Sequence, residues 1–219
     1  MNNLYILGGN GNGLVMAAAI DSHTNVWNIQ FLNDYEEIGT GIGKYKELSV
    51  AGKPDDAKRL LEEPGAKIMY AFGTLKNPKE KMERIEKLGI KRDKWLRYID
   101  ETAVVPLDYC KIEEGCFIGP LAQISPNVYL HRNSCLMGNS YVGHDSEIGE
   151  FSMLATNSVV GSYVKVERGV HIGTNSCIRE GIHIGEYSII GIGAVVVKDV
   201  PANAIVVGNP ARILKYRED

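Results

Sequence analysis

Residues 142–154 read Val142-Gly143-His144-Asp145-Ser146-Glu147-Ile148-Gly149-Glu150-Phe151-Ser152-Met153-Leu154, with a branched aliphatic at every sixth place. The step of six runs in both directions. Ile112, Ile118, Ile124, Leu130 and Leu136 lie upstream, and Val160, Val166, Ile172, Ile178, Ile184, Ile190 and Val196 lie downstream. Fifteen consecutive positions of the register are therefore Ile, Leu or Val. The next place is often glycine: Gly119, Gly143, Gly149, Gly161, Gly173, Gly185 and Gly191. The place two before is small or β-branched, as at Cys116, Ser134, Ser140, Ser146, Ser152 and Val170.

A unit of six residues spans roughly 20 Å as a strand. Three such units close a triangular coil, and coils stack about 4.8 Å apart through parallel ladders. Fifteen units make about five coils. Their aliphatic columns form a core that no single coil could bury. The glycines read as corner residues, where a tight turn needs conformational freedom. A sandwich does not fit, because its strands recur at an irregular ~8–12 residues.

The rest of the composition narrows the function. Of 219 residues, 44% are hydrophobic and 23% charged, as in an ordinary globular chain. The net charge of −3 offers no basic surplus for phosphates, so no nucleic-acid partner is expected. No apolar run reaches the ~18 residues of a membrane span, so no membrane partner is expected. Met1 to Leu7 lacks the basic and apolar regions of a secretory signal, and the chain reads as cytoplasmic. Cys110, Cys116, Cys135 and Cys177 show no CxxC spacing and read as free thiols.

The amino-terminal third has a different grammar. Leu4–Leu7 forms a short apolar strand. Gly8-Gly9-Asn10-Gly11-Asn12-Gly13 follows, then the helical run Leu14–Ile20. Strand, glycine turn and helix start make a phosphate cradle, because backbone N–H groups and the helix dipole face an anion. A second strand, Asn28–Leu32, ends in Asn33-Asp34, and Asp34 stands where an acidic residue often meets a ribose hydroxyl. A third strand, Lys67–Ala71, leads to Phe72-Gly73. A helix then carries Asn77 as cap, Pro78 at its first position, Glu80 two further on and Gly89 as its stop. About 95 residues hold only one half of a dinucleotide fold, so the expected ligand is a mononucleotide or nucleotide-sugar. A glycine turn that serves packing alone is the competing reading. The predicted fold is an α/β half-Rossmann unit over residues 1–98, followed by the coil over 99–219.

The repeat resembles that of the hexapeptide-repeat acyltransferases, which implies a left-handed parallel β-helix. The ending Val197-Lys198-Asp199-Val200-Pro201 with Val207-Gly208-Asn209-Pro210-Ala211-Arg212 is similar to that family's closing segment. Both halves together resemble the bacterial sialic acid O-acetyltransferase and nucleotide-aminosugar N-acetyltransferase group. The resemblance implies nucleotide-sugar contacts at Asn10, Gly11, Asn12, Asn33, Asp34 and Gly73. It implies acetyl-CoA contacts at Met153, Thr174 and Ile192, and a homotrimer with the active site between subunits. The family usually has His at the positions of Asn12 and Met153.

The same resemblance makes His144 the general base and Asp145 its supporting acid. Neighbours on a straight strand point to opposite faces, so this pair can cooperate only if a corner breaks the alternation. The implied reaction is transfer of acetyl from acetyl-CoA to the amine of a nucleotide-activated 4-amino-4,6-dideoxy sugar. Transfer to a sialic acid hydroxyl and a non-catalytic nucleotide-sugar scaffold are the alternatives. His131, His171 and His183 flank inward positions and are expected at the surface or a subunit interface. No paired spacing makes them metal ligands, and no metal is expected. Cys135 and Cys177 also read as outward, with no base placed to activate either.

Overall fold

In the computed structural model, which describes residues 1–24 and 26–218, the chain folds as an α/β unit seated on one face of a three-sided parallel coil. The α/β unit carries a five-stranded sheet. Its strands are β1 (Asn2–Leu7), β2 (Trp27–Leu32), β3 (Gly41–Ile42), β4 (Leu48–Gly52) and β5 (Lys67–Tyr70), in the order β3-β4-β2-β1-β5. All neighbours are parallel except β3 and β4. β1, β2 and β5 match the expected strands. β3 and β4 were not expected, because neither short segment carries a run of apolar residues long enough to read.

β1 lies between β2 and β5 and is buried on both sides, and its side chains divide by parity. Leu4 and Ile6 join Met16, Ala17 and Ile20 of helix α1 (Asn12–His23). Tyr5 and Leu7 face α2 (Ala57–Leu60) and α3 (Pro78–Lys87), meeting Ala57, Met82 and Ile85. The start of α3 departs from the expected cap. Asn77 sits left-handed at φ 44° with no side-chain bond to the helix backbone, and its Nδ2 donates to Glu80 Oε2 at 3.3 Å. Gly89 ends the helix at φ 61°, as its sequence position implied.

The coil begins with β6 (Tyr98–Ile99), followed by fifteen two-residue strands, β7–β21, from Lys111–Ile112 to Val195–Val196. Residue i pairs with i+18, as in Leu130↔Ile148 and Val142↔Val160. Three faces result. The first holds every third strand from β7, the second every third from β8, and the third every third from β9. All fifteen aliphatic positions are buried, at 8% exposure or less. The serines two places earlier are buried too, and most return their hydroxyls to the backbone. Ser146 Oγ donates to Gly161 O at 2.9 Å and Ser152 Oγ to Glu167 O at 2.7 Å.

The corners correct the reading of glycine. Left-handed φ falls three places before every aliphatic of the register except the first, Ile112: at Leu121, Asn127, Asn133, Asn139, Asp145, Phe151, Asn157, Tyr163, Asn175 and Tyr187, and at Gly115, Gly169, Gly181 and Gly193. The glycines that follow the aliphatics are not among them. They are required by stacking: a Cβ on Gly149 would lie 2.5 Å from the carbonyl carbon of Glu167, and one on Gly143 would lie 2.6 Å from that of Gly161. Asparagine fills many of the left-handed corners because its short amide tolerates that region.

The α/β unit covers the second face. Its α1-side core continues into Phe117, Cys135, Met137 and Met153 of the coil. A charged ring fastens the other edge. Arg168 contacts Glu86 of α3 at 2.9 Å and Glu150 at 3.2 Å, while Arg132 reaches the same two carboxylates at 3.5 and 3.4 Å. The coil closes with β22 (Ala204–Val207), parallel to β20 (Ile189–Ile190), and β23 (Arg212–Tyr216), antiparallel to β22.

Candidate active site

His144 and Asp145 stand at the corner between a third-face strand, β12 (Tyr141–Val142), and a first-face strand, β13 (Glu147–Ile148). Asp145 adopts φ 58°, which breaks the alternation and turns its carboxylate onto its neighbour. Oδ2 lies 2.7 Å from His144 Nδ1. Asn127 Nδ2 donates to the other oxygen at 3.0 Å. The His144 and Asn127 hydrogen bonds hold the Asp145 carboxyl below the usual carboxylate range. An ionised carboxylate only accepts, so Nδ1 carries the shared proton. Nε2 of the neutral ring is then the free acceptor. The Tyr163 ring meets the imidazole edge-on at 5.0 Å. Asn127, Asp145 and Tyr163 are each eighteen residues apart, so the repeat itself stacks them at one corner. The i±18 rule would have found both neighbours from the sequence.

The second feature is a cleft of about 360 Å³ at the carboxyl ends of β1, β2 and β5. Asn10, Asn33 and Gly73 of the expected set line it. Asn33 is buried, and its Oδ1 accepts the amides of Tyr35 and Glu36 at 3.0 and 2.9 Å, which turns the chain after β2 across the cleft. Gly8 and Gly9 of the expected glycine cradle line it as well, and Tyr35, Glu36, Ile42 and Phe72, which were not expected, complete it. Their role depends on the crossover of β2, β3 and β5 in space, which no local motif records.

Three residues of the expected nucleotide set stand outside the lining. Gly11 precedes α1 at φ 82°. Asn12 turns to the coil, with Nδ2 3.3 Å from Met153 Sδ. Asp34 is held by Arg84 at 2.7 and 3.0 Å, and Arg84 also bonds Asp55. The acyl-donor set divides as well. Thr174 and Ile192 lie one coil apart on the corner between the second and third faces, Ile192 strongly exposed. Met153 is buried on the second face beneath α1.

Two outward residues are also covered by the α/β unit. Cys135 is 4% exposed, and burial pushes its thiol well above the usual range, so it is a packing residue. His171 lies under the loop after β5, with Nδ1 2.9 Å from Thr74 Oγ1. Burial, with a smaller contribution from Arg217, lowers its pKa to about 4. Cys177 and His183 are exposed, and His183 Nε2 lies 3.0 Å from Glu167. His131 stacks on Tyr129 at 3.7 Å.

A three-sided parallel coil of hexapeptide repeats, carrying an α/β unit with an open cleft, defines the class of this protein. Residues 109–144 match the family model for the bacterial transferase hexapeptide (six repeats). The fold is shared over almost the whole chain with solved structures. PerB from Caulobacter crescentus, in complex with CoA and GDP-perosamine, is 20% identical over 98% of both chains at a TM-score of 0.80. WeeI from Acinetobacter baumannii AYE is 24% identical over 98% of this chain and 100% of its own, at 0.76. The acetyltransferase domain of PglB from Neisseria gonorrhoeae FA1090, in complex with acetyl coenzyme A, is 24% identical with the same coverage, at 0.66. No curated protein sequence matches the chain. Among the described residues, no helix is long and apolar enough to cross a membrane.

Proposed function

We propose that the protein transfers acetyl from acetyl-CoA to the amino group of a nucleotide-activated amino sugar, with His144 as general base. The observation that carries this reading is the His144–Asp145 pair, exposed at a coil corner with Nε2 free to accept a proton. The amine nitrogen attacks the thioester carbon, His144 Nε2 takes the amine proton, and the coenzyme leaves as its thiolate. The thiolate then recovers a proton from the imidazolium. Asp145 stabilises that imidazolium and fixes the tautomer. The nucleotide part of the acceptor belongs in the cleft beside Asn10, Asn33 and Gly73. Thr174 and Ile192 offer a ledge along the coil for the acyl donor. That PerB was solved with CoA and GDP-perosamine, and the PglB domain with acetyl coenzyme A, supports the two ligand classes.

A homotrimer is part of the proposal, and the geometry supports an assembly of more than one copy. His144 occupies the corner opposite the second face, and the α/β unit with its cleft sits on that face. One copy therefore holds base and cleft on opposite sides of the coil, and a neighbouring copy must bring a cleft to His144. The third face presents Tyr141, Val159, Cys177 and Val195 outward, an apolar row suited to such packing. The test is release of free thiol from acetyl-CoA with a panel of GDP- and UDP-linked 4-amino sugars and free sialic acids. Turnover with the nucleotide-linked amines supports the reading. Turnover with the hydroxyl acceptors alone replaces it by O-acetyl transfer.

A further inference from the structure

The wall of the cleft is held from outside the sheet that builds it. Phe72 and Gly73 line the cleft after β5, and the next residue, Thr74, is 1% exposed. Its hydroxyl bonds His171 on the second face of the coil at 2.9 Å. The carbonyls of Thr74 and Leu75 accept from the guanidinium of Arg217 at 2.9 and 3.2 Å. The same guanidinium reaches the carbonyl of Tyr187, a coil corner, at 3.3 Å. The backbone amide of Arg217 donates to Asn203 O at 2.8 Å, which registers it beside β22 and β23. A planar fork with five donors can hold three fixed carbonyls, whereas a single ammonium on a flexible stem cannot reproduce that geometry.

We propose that Arg217, together with His171, is a positioning residue for the nucleotide cleft and couples its occupancy to the docking of β23. This rests on the reading of the cleft as the nucleotide site. Arg217 lies 143 residues from Thr74 in sequence and touches the loop through main-chain carbonyls. Its effect is therefore on where Phe72 and Gly73 stand, not on the reacting atoms. If the ordered wall binds nucleotide better, bound nucleotide must favour the docked strand by the same free energy.

The experiment compares the intact chain with Arg217→Ala, Arg217→Lys, His171→Ala and His171→Asn. It reads GDP and UDP affinity, coenzyme A affinity, steady-state kinetics and hydrogen–deuterium exchange of residues 212–216. Arg217→Ala is expected to weaken nucleotide affinity and raise the acceptor KM by at least about tenfold, with kcat and coenzyme A affinity little changed. Arg217→Lys recovers part of the loss. His171→Asn, which keeps a partner for Thr74, recovers more than His171→Ala. Saturating nucleotide slows exchange in β23 of the intact chain and not in Arg217→Ala. Equal nucleotide affinity and equal exchange in the intact chain and Arg217→Ala would overturn the coupling alone. A parallel fall in coenzyme A affinity, kcat and nucleotide affinity would make Arg217 merely structural. No binding of GDP or UDP to the intact chain would remove the nucleotide reading of the cleft, and this proposal with it.

Discussion

Asp145 reaches His144 because the corner of the coil, not the strand, sets its direction: at φ 58° its Oδ2 lies 2.7 Å from the imidazole Nδ1. The equivalent corners one coil before and one coil after supply Asn127 and Tyr163 to the same pair. A periodic solenoid thus assembles a local site from residues one coil apart.

Replacing His144 by Ala is expected to lower kcat by ~10²–10⁴ while leaving nucleotide affinity intact. Asp145→Asn keeps a residue that tolerates the left-handed corner, so the coil is undisturbed and only the charge is lost. Its kcat is expected to fall by about tenfold or more, since the imidazolium loses its counter-charge. Thiol release kinetics beside nucleotide titration checks both variants. Near-native turnover of His144→Ala would remove it from the role of base.

The repeat glycines are set by the distance between coils, and this can be tested by stability. Gly149→Ala forces a Cβ to within 2.5 Å of the Glu167 backbone, which cannot move without opening the ladder. A loss of ~1–3 kcal/mol or more is expected, as for overpacked interiors. Gly181 is left-handed at φ 71° with open space beside it, so Gly181→Asn is expected to cost under ~1 kcal/mol. Denaturant unfolding of the two variants gives the comparison. Equal stabilities would contradict the assignment of glycine to stacking.

Removing the side chain of Leu154, fully buried among its column neighbours, is expected to cost ~2–5 kcal/mol. Tyr163→Ala, at an exposed corner, should fall within about 1 kcal/mol of the parent by the same measurement.

The pH dependence of stability should carry the mark of His171. Its folded pKa is about 4, against an ordinary value of about 6.5 in the unfolded chain. Between these values the unfolded chain binds the extra proton, so stability rises with pH through this window. The contribution is complete above about pH 6.5 and is lost as pH falls toward 4. A series of melting temperatures over that range should show a shallower slope for His171→Asn than for the parent. An identical slope would mean that the ring is not buried as described.

Val159→Arg places a charge on the apolar outward row of the third face. If the row packs between copies, the variant is expected to sediment as a smaller species and to lose at least about tenfold in transfer rate. Its nucleotide affinity should stay, because the cleft lies wholly within one chain. An unchanged sedimentation coefficient would place the subunit contact elsewhere.

The repeat register, the inward columns and the α/β start were legible in the chain itself, because stacking repeats one local environment every eighteen residues and the pattern survives in residue type. The His144–Asp145 pair was read from the resemblance of its segment to the acyltransferase family, and the repeat added only that a corner must break the strand alternation there for the two to cooperate. Tertiary structure alone decided what covers the second face. Cys135, Met153 and His171 occupy the same outward register as exposed residues, and only the docking of the α/β unit buries them. It also decided that Asp34 pairs with Arg84, that Asn12 meets Met153, and that Arg217 holds the loop after Gly73. These contacts join residues of no shared period, brought together by the packing of one unit on another, and periodicity carries no record of them.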